Sequence, residues 1–220
     1  MRLGGEMMIA TQTKLSQSSN GATVEMPPLV LKLHPVIDLT DDEFFELCQV
    51  NRDLRLEKTA EGEIIVMPPA GGETGSRNSA ITAALYVWSR RDGVGIAFDS
   101  STGFKLPNGA TRSPDAAWVQ RTRLAPLTAK EKERFLPLCP DFVIELRSRT
   151  DPLSTLQAKM VEYIANGAQL GWLIDPVERQ VHIYQPGIAP IILDRPATII
   201  GDPLLPGFVL ELSLIWDPGF

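Results

Sequence analysis

The chain has 220 residues, of which 44% are apolar and 22% are charged, a composition that suits one domain with a substantial core. Its 21 basic and 27 acidic residues give a net charge of −6, which argues against a protein that coats nucleic acid through a general basic surface. A local site in which a metal ion supplies the positive charge remains compatible with this balance.

The cysteine pattern and the distribution of apolar residues indicate the compartment and the domain organisation of the protein. Cys48 and Cys139 lie far apart and form no CxxC pair, so neither a disulfide framework nor a zinc knuckle is indicated. Residues 1–26 contain no apolar signal-peptide core, and we predict a disordered leader there and a single domain over 27–220. No stretch approaches the roughly 20 apolar residues of a membrane span, so we expect a cytoplasmic protein without membrane contact.

The first predicted elements are a short helix, a hairpin and a long helix. In "DLTDDEFFELCQV", Thr40 and Glu43 form a capping box ahead of apolar residues at helical spacing, which predicts a helix at 40–50. "LRLEKTAEGEIIVMPP" alternates apolar and polar residues on both sides of Glu61-Gly62, as a β-hairpin does. Between 74 and 88, apolar residues recur every three or four positions, which predicts the longest helix.

The second half of the chain contains a predicted strand-helix-strand crossover. "GIAFDSSTGFKLPNGATRSPDAAWV" is expected to form three short strands, followed by a polar connection with one or two helical turns. "DFVIEL" and "GWLID" are apolar strands on either side of a helix that Asp151-Pro152 should begin, so the two strands should be parallel. "VHIYQP" is expected as an antiparallel neighbour, and "PLLPGFVLELSLIW" as one more edge element.

Glu145 is a carboxylate within an otherwise apolar strand. Period two places Glu145 and Arg147 on the same face of that strand. A buried carboxylate is costly unless it meets a cation, so either Arg147 is its structural partner or a metal is bound there. Asp115 follows Pro114, which cannot donate to a sheet, and so lies at a strand end. Two such acids on neighbouring strand ends could share one hard cation through oxygen ligands.

Lys159 lies on the crossover helix at the border of its apolar stripe. From that position its ammonium could reach over the end of the strand that carries Glu145. Taken alone, a lysine at such a border more often covers apolar surface with its stem. His34 and His182 are the only histidines, so a histidine metal cluster or a Ser-His-Asp arrangement has little support.

Asp115, Glu145 in "PDFVIELRS" and Lys159 in "LQAKMVEYIANGAQLGWLIDP" together resemble the Uma2 (DUF820) family of endonucleases, which have the PD-(D/E)xK fold. The resemblance extends from the helix at 40–50 through the hairpin to "VHIYQPG". It implies an α/β protein with a restriction-endonuclease-like core, a mixed central sheet flanked by helices, and an N-terminal helix and β-hairpin.

The resemblance also implies a set of site residues. Asp115 and Glu145 match the family's metal-binding carboxylates, which would hold Mg²⁺ or Mn²⁺. The lysine usual two residues after the glutamate is replaced here by Arg147, and we take Lys159 as its relocated substitute. A further acid near the start of the first long helix is matched best by Glu73, with Glu57 as the alternative.

Three functions are compatible with these residues. The first is a metal-dependent endonuclease that hydrolyses DNA, for which the family resemblance also allows a homodimer. The second is a catalytically inactive nuclease-fold module that serves as an interaction domain, with Arg147 paired permanently to Glu145. The third is a glycoside hydrolase with Asp115 and Glu145 as its carboxylate pair, which would need a substrate groove lined by aromatic residues.

Overall fold

The computed structural model describes residues 28–219, so the leader predicted at 1–26 lies outside the described residues. The helices are α1 (Asp41–Val50), α2 (Gly72–Asp92), α3 (Arg121–Leu124), α4 (Ala129–Lys132), α5 (Leu153–Ala165) and α6 (Ser213–Trp216). The strands are β1 (Leu29–Leu31), β2 (Arg55–Lys58), β3 (Ile64–Met67), β4 (Gly95–Asp99), β5 (Phe104–Lys105), β6 (Thr111–Arg112), β7 (Ala116–Gln120), β8 (Phe142–Leu146), β9 (Leu170–Asp175), β10 (Gln180–Tyr184), β11 (Ile191–Asp194), β12 (Thr198–Ile200) and β13 (Val209–Glu211). Over 28–219, no helix combines the length and the apolar character needed to cross a lipid bilayer.

The central sheet has six strands in the order β11-β10-β9-β8-β7-β4. β8 and β9 are parallel, since α5 carries the chain back across the sheet between them, and the other neighbours are antiparallel. The predicted crossover and the mixed sheet are therefore confirmed. The helix begins one residue later than predicted: Pro152 is the N-cap, and the Asp151 carboxylate instead accepts a hydrogen bond from the Ser148 amide at 3.0 Å.

Both faces of this sheet are buried. Phe142 and Ile144 of β8 belong to a core shared with Ile81 and Leu85 of α2. Val143, between them, belongs to a second core on the opposite face, which includes Met160 of α5. The period-two alternation predicted for this strand is confirmed, and it places Glu145, two residues after Val143, on the face that α5 covers.

A second sheet, in the order β1-β3-β2-β6-β5, contains the predicted hairpin, in which β2 pairs antiparallel with β3. The capping box of α1 is also confirmed, because the Glu43 amide donates to Thr40 Oγ1 at 3.3 Å and the Thr40 amide donates to Glu43 Oε2 at 2.8 Å. The segment predicted as three strands has four, since Pro114 interrupts the last one. β6 thereby joins the second sheet and β7 joins the central sheet.

The C-terminal segment corrects another prediction. The predicted edge element does not extend the central sheet; β13 pairs with β12 in a separate two-stranded sheet, and the outer strand of the central sheet is β11. The reason is the apolar side chains of this segment, which pack on a face of the central sheet. Phe208 stacks on Trp172 with ring centroids 5.6 Å apart, and Ile215 is fully buried in the same core.

Candidate active site

Two carboxylates lie at the same end of a strand pair, where β7 begins and β8 ends. Ala116 is paired with Ile144 in the antiparallel register of these strands, so the next pair along is Asp115 with Glu145. Directly opposite residues of an antiparallel pair project from the same face. The Asp115 carboxylate is held at both oxygens, because the Leu146 amide donates to Oδ2 at 2.8 Å and Asn78 Nδ2 donates to Oδ1 at 3.1 Å.

Lys159 joins this pair from the helix α5. Its Nζ lies 2.8 Å from Oε1 of Glu145 and 2.8 Å from Oε1 of Glu57. Tyr163, one helical turn further along α5, donates its hydroxyl to Oε1 of Glu145 at 3.0 Å. Within the part of the chain that the structure describes, the ammonium of Lys159 is therefore the cation that contacts Glu145, and α5 supplies both side chains that hold the carboxylate.

Glu57 of β2 contributes a third carboxylate to the site, from the second sheet. Its carboxylate accepts hydrogen bonds from the Ser113 amide at 2.9 Å and from Arg112 Nη1 at 3.3 Å. Arg112 also donates through Nε to Glu162 of α5 at 2.6 Å. A buried cluster thus alternates acids and cations across the junction of the two sheets. We call Asp115, Glu145, Glu57 and Lys159 the carboxylate-lysine cluster.

The pKa values of the four residues in this cluster shift in different directions. Burial raises the pKa of Glu145 to about 7, and the charges of Asp115 and Glu57 add to the rise, whereas Lys159 opposes it. Burial likewise raises the pKa of Asp115. Burial also disfavours the ionised form of Glu57, but Lys159 and Arg112 outweigh it and lower the pKa of Glu57. For Lys159, burial acts to lower the pKa, but the two glutamates raise it, so the ammonium stays protonated at neutral pH.

The cluster opens into a cavity of about 1590 Å³. Its walls come from α2, α5, the β1–β3 part of the second sheet and the loop that follows β8. All four members of the cluster line it, together with the cationic side chains of Arg55, Arg77, Arg112 and Arg149. Within the described range, no aromatic side chain lines this cavity. The glycoside hydrolase hypothesis requires a substrate groove lined by aromatic residues, and this cavity does not meet that requirement.

Two residues predicted for the site are placed differently. Arg147 does not form the predicted pair with Glu145; its Nη1 lies 2.9 Å from Asp175 and its Nε donates to the Asp151 carbonyl at 3.0 Å. The physical reason is the parallel register, since Leu146 opposite Ile174 brings Arg147 beside Asp175. Glu73 lines the cavity, but its carboxylate is bound to Arg77 at 3.0 Å. Glu57, the alternative, contacts Lys159 at 2.8 Å, as Glu145 does.

Several residues of the site were missed in the sequence. Tyr163 carried a usable pattern, because it lies four residues after Lys159 on the same helix face. Arg112 and Asn78 had no such pattern. The residues around them do not indicate that a two-residue strand or the middle of a long helix faces a carboxylate that is distant in the sequence.

The mixed sheet with its flanking helices and its strand-end carboxylates defines a restriction-endonuclease-like α/β protein. The fold is matched by a crystal structure described as "a putative nuclease belonging to DUF820 from Anabaena variabilis ATCC 29413", with a TM-score of 0.68 and 22% identity. That match covers 81% of this chain and 97% of the other. The Uma2 family model, described as "Putative restriction endonuclease", matches residues 41–213, and the chain therefore belongs to the Uma2 family. No curated protein matches the chain significantly.

Proposed function

We propose that the protein is a metal-dependent endonuclease that hydrolyses phosphodiester bonds of DNA. The observation that carries the proposal is the pair of strand-end carboxylates, Asp115 and Glu145, with the ammonium of Lys159 at 2.8 Å from one of them. Membership of a family described as "Putative restriction endonuclease" supports DNA as the substrate.

The residues present fit a magnesium or manganese ion. Among residues 28–219 there is no group of three or more histidine, cysteine, aspartate or glutamate side chains arranged as a metal site. Mg²⁺, however, is commonly bound through only one or two carboxylates, together with waters and substrate phosphate oxygens. Asp115 and Glu145 supply two carboxylates at a cavity wall. Burial raises the pKa of both, and a bound cation would favour their ionised forms. These two residues would hold the ion.

The division of labour follows from the contacts. When bound, Mg²⁺ or Mn²⁺ makes a water more acidic and neutralises negative charge on the scissile phosphate. Lys159 is protonated and buried, so its role is to orient the attacking water or to stabilise charge in the transition state rather than to accept a proton. Glu57 and Tyr163 act through others: Glu57 holds the ammonium of Lys159, and Tyr163 holds the carboxylate of Glu145.

One observation favours the second candidate, an inactive nuclease-fold module. Lys159 already forms ion pairs with both Glu145 and Glu57, so the cluster is partly neutralised by the chain itself. In such a module the cluster would serve only to join α5 to the two sheets.

Titration with Mn²⁺ by calorimetry, combined with plasmid cleavage, separates the two candidates. The wild type should bind Mn²⁺ and nick plasmid DNA, and EDTA should abolish cleavage. Asp115→Asn and Glu145→Gln should lose both properties. Lys159→Met should retain binding and cleave about 10²–10³-fold more slowly, the usual effect of removing one group that stabilises the transition state.

Glu73→Gln provides a matched control, because Glu73 lines the same cavity but is paired with Arg77. This variant should behave as the wild type does. A wild-type protein that binds no Mn²⁺ and cleaves no DNA would establish the inactive module instead.

A further inference from the structure

A second cavity, of about 790 Å³, lies between α2 and the end of β4 with the turn that follows it. We call it the accessory groove. It shares Arg55 and Asn78 with the wall of the active-site cavity, so the two cavities meet at these side chains. Five hydroxyl-bearing residues line it: Ser79, Thr82, Tyr86, Ser100 and Thr102.

The residues at the junction contact both sides. Asn78 donates to the Asp115 carboxylate at 3.1 Å. Arg55 donates through Nη2 to the Ser100 carbonyl in the accessory groove at 2.8 Å, and its positive charge acts on Asp115. The accessory groove therefore begins next to a candidate metal ligand, with a guanidinium at its entrance.

One face of α2 forms the wall that leads away from this junction. Asn78, Thr82 and Tyr86 are spaced by four residues and so lie on the same face of the helix. At 1.5 Å per residue, Tyr86 lies about 12 Å along the helix axis from Asn78. The side chain of Tyr86 is 55% exposed, and its ring is available for stacking.

We infer that the accessory groove binds unpaired nucleotides of the substrate, adjacent to the bond that the carboxylate-lysine cluster cleaves. The inference rests on the proposed function and names the substrate class: nucleic acid with a single-stranded segment beside the cleavage point. Tyr86 stacks on a base, Arg55 faces a phosphate, and the hydroxyl groups of Thr82 and Ser100 donate to sugar and phosphate oxygens. The hydroxyls of Ser79 and Thr102 already donate to Gly75 and Asp99. The base must be unpaired and unstacked, because neighbouring bases cover both of its faces within a duplex.

The size of the groove agrees with this ligand. A volume of about 790 Å³ lies within the range that encloses small molecules. Among residues 28–219, β4 pairs with β7 alone, so a peptide strand is a competing occupant of its outer edge. Asp99 also lines the groove, but its Oδ1 already accepts hydrogen bonds from Ser101 and Thr102. The hydroxyl-rich wall and the guanidinium of Arg55 favour a phosphodiester over a peptide.

Binding is measured by fluorescence anisotropy in EDTA, with a labelled ten-nucleotide single-stranded DNA and with the duplex of the same sequence. The single strand should bind more tightly than the duplex. Tyr86→Ala should weaken binding of the single strand about 5- to 100-fold, the range found for base–aromatic stacking, whereas Tyr86→Phe should remain within about twofold. Arg55→Gln should reduce the slope of log affinity against log salt by about 0.7.

Val87→Ala is the matched control, because Val87 is the next residue of α2 and is 47% exposed; its affinity should equal that of the wild type. Equal affinity of Tyr86→Ala and wild type for the single strand would overturn the inference. Preference for the duplex, or displacement of the DNA by an unphosphorylated peptide, would overturn it equally.

Cleavage with Mn²⁺ distinguishes failure of this inference from failure of the proposed function. The wild type should cut a duplex that carries an unpaired segment faster than a continuous duplex, and Tyr86→Ala should lose this preference. If the wild type cuts both equally, the groove inference fails and the proposed function stands. If it cuts neither but still binds the single strand through Tyr86, the proposed function fails and the groove remains a nucleotide-binding site.

Discussion

Replacing Glu145 by glutamine should make the metal-free protein more stable at alkaline pH. The folded protein holds Glu145 at a pKa of about 7, against an ordinary value of 4.5. The folded state therefore binds this proton more tightly than the unfolded state does. The stability that the protonated carboxyl contributes is present below pH 4.5 and is lost as the pH rises through about 7.

The magnitude follows from the same pKa values. Their difference corresponds to about 3 kcal/mol of unfavourable free energy for the ionised form above pH 7, and Glu145 is only 3% exposed, so solvent screens little of it. Glutamine is neutral and can still accept the Tyr163 hydrogen bond. Glu145→Gln should exceed the wild type by up to about 3 kcal/mol at pH 8, and by less than about 1 kcal/mol at pH 5.

Glu57→Gln is the matched control with the opposite sign. Lys159 and Arg112 lower the pKa of Glu57 despite its burial, so its ionised form stabilises the fold. Its loss should cost about 1–3 kcal/mol at pH 8. Urea unfolding in EDTA, followed by tryptophan fluorescence at pH 5 and pH 8, measures both effects. A Glu145→Gln variant less stable than the wild type at pH 8 would refute the idea that burial of the ionised Glu145 carboxylate destabilises the metal-free fold.

Two further predictions concern the core. His182 is buried in β10, and burial lowers its pKa. The unfolded chain therefore binds the proton more tightly, so the free energy of unfolding should fall as the pH decreases below 6.5. His182→Phe should flatten the dependence of the urea midpoint on pH between 6.5 and 5. A steeper dependence in the variant would contradict this. A Cβ at Gly95 would overlap the ring of Trp118, whereas a Cβ at Gly171 would meet the flexible end of the Met160 side chain. Gly95→Ala should therefore lower the free energy of unfolding by about 1–3 kcal/mol, and Gly171→Ala should lower it by less. Thermal melting compares the two, and an equal loss would show that the Trp118 ring shifts freely.

The parts of the fold that could be predicted are those encoded locally. The capping box of Thr40, the apolar runs around Glu145 and the helical spacing through Lys159 all lie within short windows, and the elements they predicted are present. The crossover then placed Lys159 over the end of the strand that carries Glu145, because a helix between parallel strands packs on their sheet.

The parts that could not be predicted depend on docking between distant elements. Whether Glu57 or Glu73 joins the cluster is decided by how the second sheet sits beside α5, and Glu57 and Lys159 are separated by 102 residues in the sequence. Arg147 was assigned to Glu145 because the two share a strand face. Its contact with Asp175 depends on the strand register with β9, which apolar patterning alone does not specify.

The separation of Glu57 from Lys159 has a consequence for biosynthesis. At about 5–20 residues per second, a ribosome needs about 5–20 s to extend the chain over those 102 residues. A nascent chain that stops before α5 has Glu57, Asp115 and Glu145 but no ammonium between them. The catalytic centre that we propose is therefore assembled only after α5 has been synthesised, and translation products that stop before α5 should be devoid of hydrolytic activity toward the cell's own nucleic acid.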